Sequence, residues 1–243
     1  MEVNEILKQC RIQDNTVFLP DIQLDRKTYL AAAQKLELIG GKWNRKAKGF
    51  IFEQDPAGLL LDIQNGENRN IKKEYQFFET PEDLARELVS FIPMDGDLKE
   101  KNVLEPSAGR GAIVRMINKL RPELQVFHCE LMELNQKMFN GKSTFLQNDF
   151  LTLPENKKYS VIIANPPFNK NQDIDHFYKM TKIAAKRVIS VMSNHWKHSS
   201  NKKETEFREF ITSNNVQVID IEAGRFKESG TMTSSCVLIY DIE

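Results

Sequence analysis

Asn165-Pro166-Pro167-Phe168 stands directly after the apolar run Val161-Ile162-Ile163-Ala164, and its residue types suit the capture of a planar group that carries an NH2. Proline has no amide hydrogen and fixes its own φ, so two in succession end a β-ladder and hold the preceding carbonyls outward as acceptors. Asn165 Oδ1 and the Pro166 carbonyl can each accept one hydrogen of such an amine, while Phe168 stacks on its ring. The competing reading is an Asn-Pro turn that only closes a strand. The rest of the chain has to separate the two.

A second group, Glu105-Pro106-Ser107-Ala108-Gly109-Arg110-Gly111, follows the short strand expected at Asn102 to Leu104 and leads straight into a helical pattern. Gly109 and Gly111 let the backbone approach a ligand, and the helix N-terminus beyond them offers amide hydrogens. Val114 stands where a dinucleotide fingerprint has its third glycine, and a bulky residue there obstructs pyrophosphate packing, which disfavours NAD. Glu105 at the strand end suits a cationic ligand group such as an amine. Glu130, 25 positions later, ends the next strand and is placed to accept both hydroxyls of a ribose. Asn148-Asp149-Phe150 ends the third strand with an acceptor for an exocyclic amine and a ring for packing. Each acid alone is more often a solvated loop residue; together, at successive strand ends, they outline one nucleoside pocket.

The elements that must position these groups fall into two parts, joined by the polar stretch Asn65-Gly66-Glu67-Asn68-Arg69-Asn70. Residues 1–70 read as a small α+β module: a strand at Thr16 to Leu19, a helix capped by Asp25 or Thr28 and ended by Gly40-Gly41, a strand at Phe50 to Phe52, and a short helix opened by Asp55-Pro56. Residues 71–243 alternate. Strands are expected at Asn102 to Leu104, Val126 to Cys129, Thr144 to Leu146, Ser160 to Ala164, Val188 to Met192, Val216 to Ile221 and Cys236 to Tyr240, with helices at 81–91, 111–120, 132–140, 173–186 and 203–213. Short apolar runs separated by amphipathic helices predict an α/β, doubly wound, mostly parallel sheet, and the absence of helix room before the last strand predicts that this strand is antiparallel. In such a sheet the ligand crevice lies where strand order reverses, which puts Asn165 opposite Gly109.

At these residues the chain resembles the class I S-adenosyl-L-methionine-dependent N6-adenine DNA methyltransferases: Asn165 to Phe168, the loop Glu105 to Gly111, and Phe78-Glu79-Thr80-Pro81 match that family's motifs over residues 71–243. The resemblance implies a Rossmann-like methyltransferase fold with a seven-stranded sheet. It implies catalysis by Asn165, Pro166, Pro167 and Phe168, and cofactor binding by Tyr75, Phe78, Thr80, Pro81, Glu105, Pro106, Ser107, Ala108, Gly109, Gly111, Glu130, Leu131, Asp149, Phe150 and Asn165. Phe226, before Glu228-Ser229-Gly230-Thr231, is similar to an aromatic that holds an extruded base. The substrate implied is double-stranded DNA. One departure is that no large target-recognition domain follows the catalytic half.

Specificity must then come from elsewhere. In Lys42-Trp43-Asn44-Arg45-Lys46-Ala47-Lys48 cations flank one indole with no acid between them, so Lys42, Arg45 and Lys46 can meet phosphates while Trp43 stacks on a base. The other reading makes Trp43 core and the cations a solvated hairpin tip. The first module also resembles small N-terminal domains of phage and mobile-element DNA enzymes. A second candidate for substrate contact is the segment from Asn194 to Lys203, read as a long loop carrying His195, Trp196 and Lys197. His195 and His198 have no further ligands nearby, so no metal is expected.

Composition narrows the class without choosing a substrate. In 243 residues, Lys+Arg of 34 equals Asp+Glu of 34, so polyanion binding has to rely on local patches. Three scattered cysteines, with no pair at metal-ligand spacing and no long apolar segment, lead to the expectation of a cytoplasmic protein without disulfides, zinc or membrane span. RNA adenine, or the carboxamide of a protein glutamine, offers an NH2 to the same acceptors. A catalytically inactive binding subunit is a further reading, opposed by the presence of both the glycine bend and the Asn-Pro-Pro corner.

Overall fold

The computed structural model describes residues 2–52, 55–67, 79–94, 96, 98–136, 139, 143–222, 224–225 and 234–242. Contacts divide the chain into two units, residues 1–77 and 78–243.

The first unit contains α1 (Val3–Lys8), β1 (Arg11–Gln13), β2 (Thr16–Phe18), α2 (Arg26–Leu38), β3 (Lys42–Asn44), β4 (Gly49–Ile51) and α3 (Ala57–Gln64). Its antiparallel sheet has the order β1-β2-β4-β3. Directly paired residues share a face, so Ile12, Val17, Phe50 and Trp43 form one cross-strand row. Val17 and Phe50 lie in the unit's core with Ala32, Leu36, Leu60 and Ile63. Asp25 caps α2 by accepting from Thr28 N at 3.0 Å, as its residue type predicts. β1 and β3, three residues each, carry no alternation long enough to read in the sequence.

The second unit comprises α4 (Glu82–Ser90), β5 (Asn102–Glu105), α5 (Ala112–Leu120), β6 (Gln125–His128), α6 (Glu133–Gln136), β7 (Thr144–Phe145), β8 (Tyr159–Ala164), α7 (Gln172–Ile183), β9 (Ala184–Ser193), α8 (His195–His198), α9 (Lys202–Ser213), β10 (Gln217–Ile221) and β11 (Ser235–Asp241). The sheet order is β10-β11-β9-β8-β5-β6-β7. β11 runs antiparallel to both neighbours and the other pairings are parallel, as expected for a Rossmann-like methyltransferase sheet.

Alternation along each strand divides the core in two. Val103, Val126, Val161, Ile163, Ile189 and Val191 face α4 and α5, while Leu104, Phe127, Ile162, Ala164, Val188 and Met192 face α7 and α9. All six residues of β8 are buried, which is why that strand reads as an unbroken apolar run. Each fully buried Val or Ile contributes about 1.5–3 kcal/mol, and this anchors the strand end from which Asn165 projects.

Two boundaries differ from the sequence reading. The helix expected to reach residue 186 stops at Ile183, because Ala184 pairs with Tyr159 of β8 and Arg187 with both Val161 and Asp241. Sheet pairing on both sides outweighs the helical preference of Ala-Ala-Lys-Arg. The segment after β9 is not an open loop: residues 195–198 form α8, and Arg208 of α9 donates to the carbonyls of Trp196 and Ser199 at 2.5 and 2.7 Å.

Candidate methyl-transfer site

β5 and β8 are parallel neighbours, Val103 opposite Val161 and Leu104 opposite Ile162, so the loops leaving their C-terminal ends start side by side. Strand order reverses between them, at the ligand position of open α/β sheets.

At the β8 end, Asn165 Nδ2 donates to Thr80 Oγ1 at 3.1 Å. The amide's donor end is thereby held, and its Oδ1 accepts no hydrogen bond from the described residues. Thr80 is buried just ahead of α4, so two residues 85 positions apart act as one unit. Pro166 is buried, Pro167 and Phe168 are half-buried, and Phe168 packs against the α4 and α5 side of the core.

At the β5 end, the loop takes left-handed conformations at Gly109 (φ 54°) and Gly111 (φ 78°). A Cβ on Gly111 would lie 2.8 Å from Phe139 Cε1. Phe139 in turn stacks on His128, ring centroids 4.0 Å apart. Backbone bonds from Ala108 N to the Cys129 carbonyl and from Cys129 N to the Glu105 carbonyl, both 3.0 Å, join this loop to the end of β6. His128 is buried, and burial pulls its imidazole down to about 4, so it is neutral at physiological pH.

The two acids here bind the protein itself. Glu105 is 2% exposed and its Oε2 accepts from Val114 N, in the first turn of α5, at 3.0 Å. Burial pushes its carboxyl well above the usual range; the Glu130 charge adds to this, and the Val114 bond and Arg115 oppose it. Through the Val114 bond Glu105 holds the start of α5 against the sheet. Glu130 Oε2 accepts from Gly109 N at 2.6 Å, and its Oε1 from Met132 N at 2.8 Å and Asn135 Nδ2 at 3.3 Å. Its carboxyl is raised by burial, with these donors opposing. A carboxylate offers about four acceptor positions, so one remains on Oε2 for a ribose hydroxyl, and a second requires the longer Asn135 bond to yield.

Asp149 is exposed; its Oδ1 accepts from Leu151 N at 2.9 Å, and its Oδ2 takes no donor among the described residues. Phe150 belongs to the core and lies against His176, ring centroids 5.5 Å apart. Pro106 is buried, Ser107 half-buried, Ala108 buried and Leu131 exposed. Pro81 precedes α4 as its N-cap. Tyr75, Phe78 and Phe226 lie outside the described residues. Sequence reading missed Asn135, His128 and Phe139, whose polar or aromatic types acquire a role only once β6 is beside the glycine loop.

The candidate substrate contacts separate. Trp196 is 5% exposed and packs edge-on against Phe207, so the indole is a core residue with no face open for stacking. Lys197 is ion-paired with Asp220, and His195 stands 3.5 Å from Glu204. In the first unit, by contrast, Trp43 is 46% exposed at the edge of the sheet, its ring touching Phe50 edge-on, so it is not the core residue of the competing reading. Lys42, Arg45, Lys46 and Lys48 are all exposed, and Asn44 Oδ1 shapes the tip by accepting from Lys46 N and Ala47 N, both at 2.9 Å.

Comparison with known proteins adds the chemistry. Residues 82–191 match the model of the methyltransferase small domain. A type II methyltransferase of Paramecium bursaria Chlorella virus XZ-6E is 27% identical over 118 residues, covering 47% of this chain and 30% of the viral protein. The ribosomal RNA small subunit methyltransferase C of Psychromonas ingrahamii is 24% identical over 246 residues, covering 94% of this chain and 66% of that protein. The chain thus spans less than two thirds of the length of either relative. Among solved structures, a Pyrococcus horikoshii protein described as a candidate RNA methyltransferase aligns with a TM-score of 0.52 at 19% identity, over 71% of this chain and 90% of that one. Structural neighbours at TM-scores of 0.50 and 0.51 were solved with S-adenosylmethionine or S-adenosylhomocysteine bound.

Proposed function

We propose that this chain, with a class I S-adenosylmethionine-dependent methyltransferase domain as its second unit, transfers a methyl group to the exocyclic N6 amine of adenine in DNA. The observation that carries the reading is the Thr80–Asn165 hydrogen bond, which holds the amide's donor end while its Oδ1, next to the Pro166 carbonyl, takes no donor among the described residues. The residues at the glycine loop fit a nucleoside cofactor: the backbone turns through two left-handed glycines, Glu130 keeps one acceptor position among the described residues, and Asp149 presents an oxygen that takes no donor from them.

When bound, S-adenosylmethionine would supply a sulfonium methyl, with the S–C bond giving way to the new N–C bond, a neutral thioether left behind and the amine's surplus proton released to water. The protein's part is alignment. Asn165 Oδ1 and the Pro166 carbonyl each accept one amine hydrogen, which draws the nitrogen lone pair out of conjugation and toward the methyl. Phe168 holds the ring in plane, and fixed alignment of this kind contributes much of the rate. A duplex adenine is first extruded, at a cost of a few kcal/mol that pocket contacts offset. The exposed Trp43 and its neighbouring cations in the first unit are the groups suited to holding the polyanion.

A second reading, an amine of RNA, is favoured by the 94% coverage of this chain by the ribosomal RNA methyltransferase. Transfer of radiolabelled methyl to an adenine-containing duplex, a matched RNA and a glutamine peptide separates the readings. The expected result is label in the duplex, on N6 of adenine after digestion. In Asn165→Ala the transfer rate should fall by about 100-fold or more, with cofactor affinity by calorimetry unchanged. Label confined to RNA would move the proposal to the second reading.

A further inference from the structure

The turn that follows the Asn-Pro-Pro-Phe corner is conformationally unfavourable. Lys170 (φ 54°, ψ 28°) and Asn171 (φ 57°, ψ 37°) are consecutive and both left-handed, a region that non-glycine residues enter at a cost. Sequence alone gives Lys170 no reason for it, although asparagine enters this region more readily than most residues. Contacts from α9, which starts more than thirty residues later, supply one. Asn171 Nδ2 donates to Glu204 Oε1 at 2.6 Å, and Lys203 Nζ donates to the Asn171 carbonyl at 2.9 Å and to Asp175 Oδ2 at 2.8 Å.

Glu204 is built for this. It sits in the first turn of α9 and is 1% exposed. Its Oε1 also receives Asn201 Nδ2 at 3.4 Å and lies 3.5 Å from His195 Nε2. Burial works to raise its carboxyl; the amide at the helix start, Asn201, the charge of His195 and Ser199 outweigh that, and the group sits below its ordinary range as an anion. An anionic, water-shielded acceptor makes a strong hydrogen bond to an amide donor. At the other end of the turn, Asn171 N donates to the Phe168 carbonyl at 3.1 Å, so whatever holds Asn171 also holds Phe168.

We propose that Glu204 is a positioning residue for the methyl-acceptor corner: through Asn171 it keeps the Phe168–Asn171 turn left-handed and so fixes Phe168 where the acceptor ring must lie. The assignment rests on the methyltransferase reading for its effect on rate, and on geometry alone for its effect on the turn. In α8 and α9 it gives His195 and Lys203 a use other than substrate contact.

Three variants test it: Glu204→Ala, Asn171→Gly, and the two combined. Glycine tolerates the left-handed backbone, so Asn171→Gly removes the side-chain tie without adding strain. Glu204→Ala should lower kcat by roughly 10- to 100-fold with cofactor affinity unchanged, and the double variant should be no slower than the slower single one, because both remove one interaction. Multiplicative losses, or full kcat in a folded Glu204→Ala, would overturn the proposal. Hydrogen exchange at the Asn171 amide reads the turn without turnover: it should accelerate in Glu204→Ala, and an unchanged rate overturns the brace whatever the enzyme does. Accelerated exchange in a protein whose wild type methylates nothing would leave the brace standing and remove the methyltransferase reading instead.

Discussion

The loops that leave β5 and β8 begin at neighbouring strand ends yet are held rigid by opposite means. At the Asn165–Pro167 corner directly after β8, stiffness comes from covalent restriction: two prolines fix the backbone, and one hydrogen bond to Thr80 holds the donor half of the Asn165 amide, while only the turn beyond Phe168 leans on α9. The acceptor half stays available for chemistry. After β5, flexible residues are held from outside. Gly109 and Gly111 adopt left-handed conformations that other residues enter only at a cost, and two buried carboxyl groups hold the bend, Glu130 accepting from the loop amide of Gly109 and Glu105 from Val114 in the first turn of the following helix. A corner stiffened by its own prolines can leave its functional group disengaged, whereas a bend held by its neighbours uses up their polar groups.

The contrast is broken most severely at Gly111. Alanine there meets both the left-handed φ and the Phe139 ring edge, which its stack on His128 keeps from swinging away. Destabilisation of about 1–2 kcal/mol from the backbone alone is expected, with weaker cofactor binding; urea titration and calorimetry measure the two. Wild-type cofactor affinity in Gly111→Ala would show that the loop does not need its glycine conformation.

The tether tests the other loop. In Thr80→Val the shape is kept and the hydroxyl lost, which releases the Asn165 amide at a cost of about 1 kcal/mol and should lower kcat by up to about tenfold while the fold keeps its melting temperature within a few degrees. A larger fall in cofactor affinity than in kcat would assign Thr80 to the cofactor rather than to Asn165.

The smallest effect separates the carboxylates from the amide by pH. Because burial raises the Glu105 carboxyl, its contribution to stability is fully present below the ordinary glutamate range and is lost as pH rises through the higher folded value. Glu105→Gln can still accept from Val114 N and carries no charge at any pH. Its melting temperature should exceed wild type at pH 8 and the difference should shrink toward pH 4. A constant difference across that range would show that Glu105 is not buried as a titrating group.

Much of this was legible in the residue order. Short unbroken apolar runs and their helical spacers determined a parallel α/β sheet, because burial on both faces leaves a strand no polar positions, as in Val161 to Ala164. The Asn-Pro-Pro corner and the glycine bend were equally readable, since proline and glycine restrict or release the backbone wherever they stand. What tertiary structure alone decided are the partners. Trp43 and Trp196 have the same side chain and similar basic neighbours, yet one is half exposed at a sheet edge and the other is packed under α9. Glu105 holds the first turn of the helix that follows it, and Thr80 meets Asn165 across 85 residues. Local sequence sets which conformations a segment can take; which polar atom is engaged and which is left for chemistry depends on contacts between segments that only the folded chain brings together.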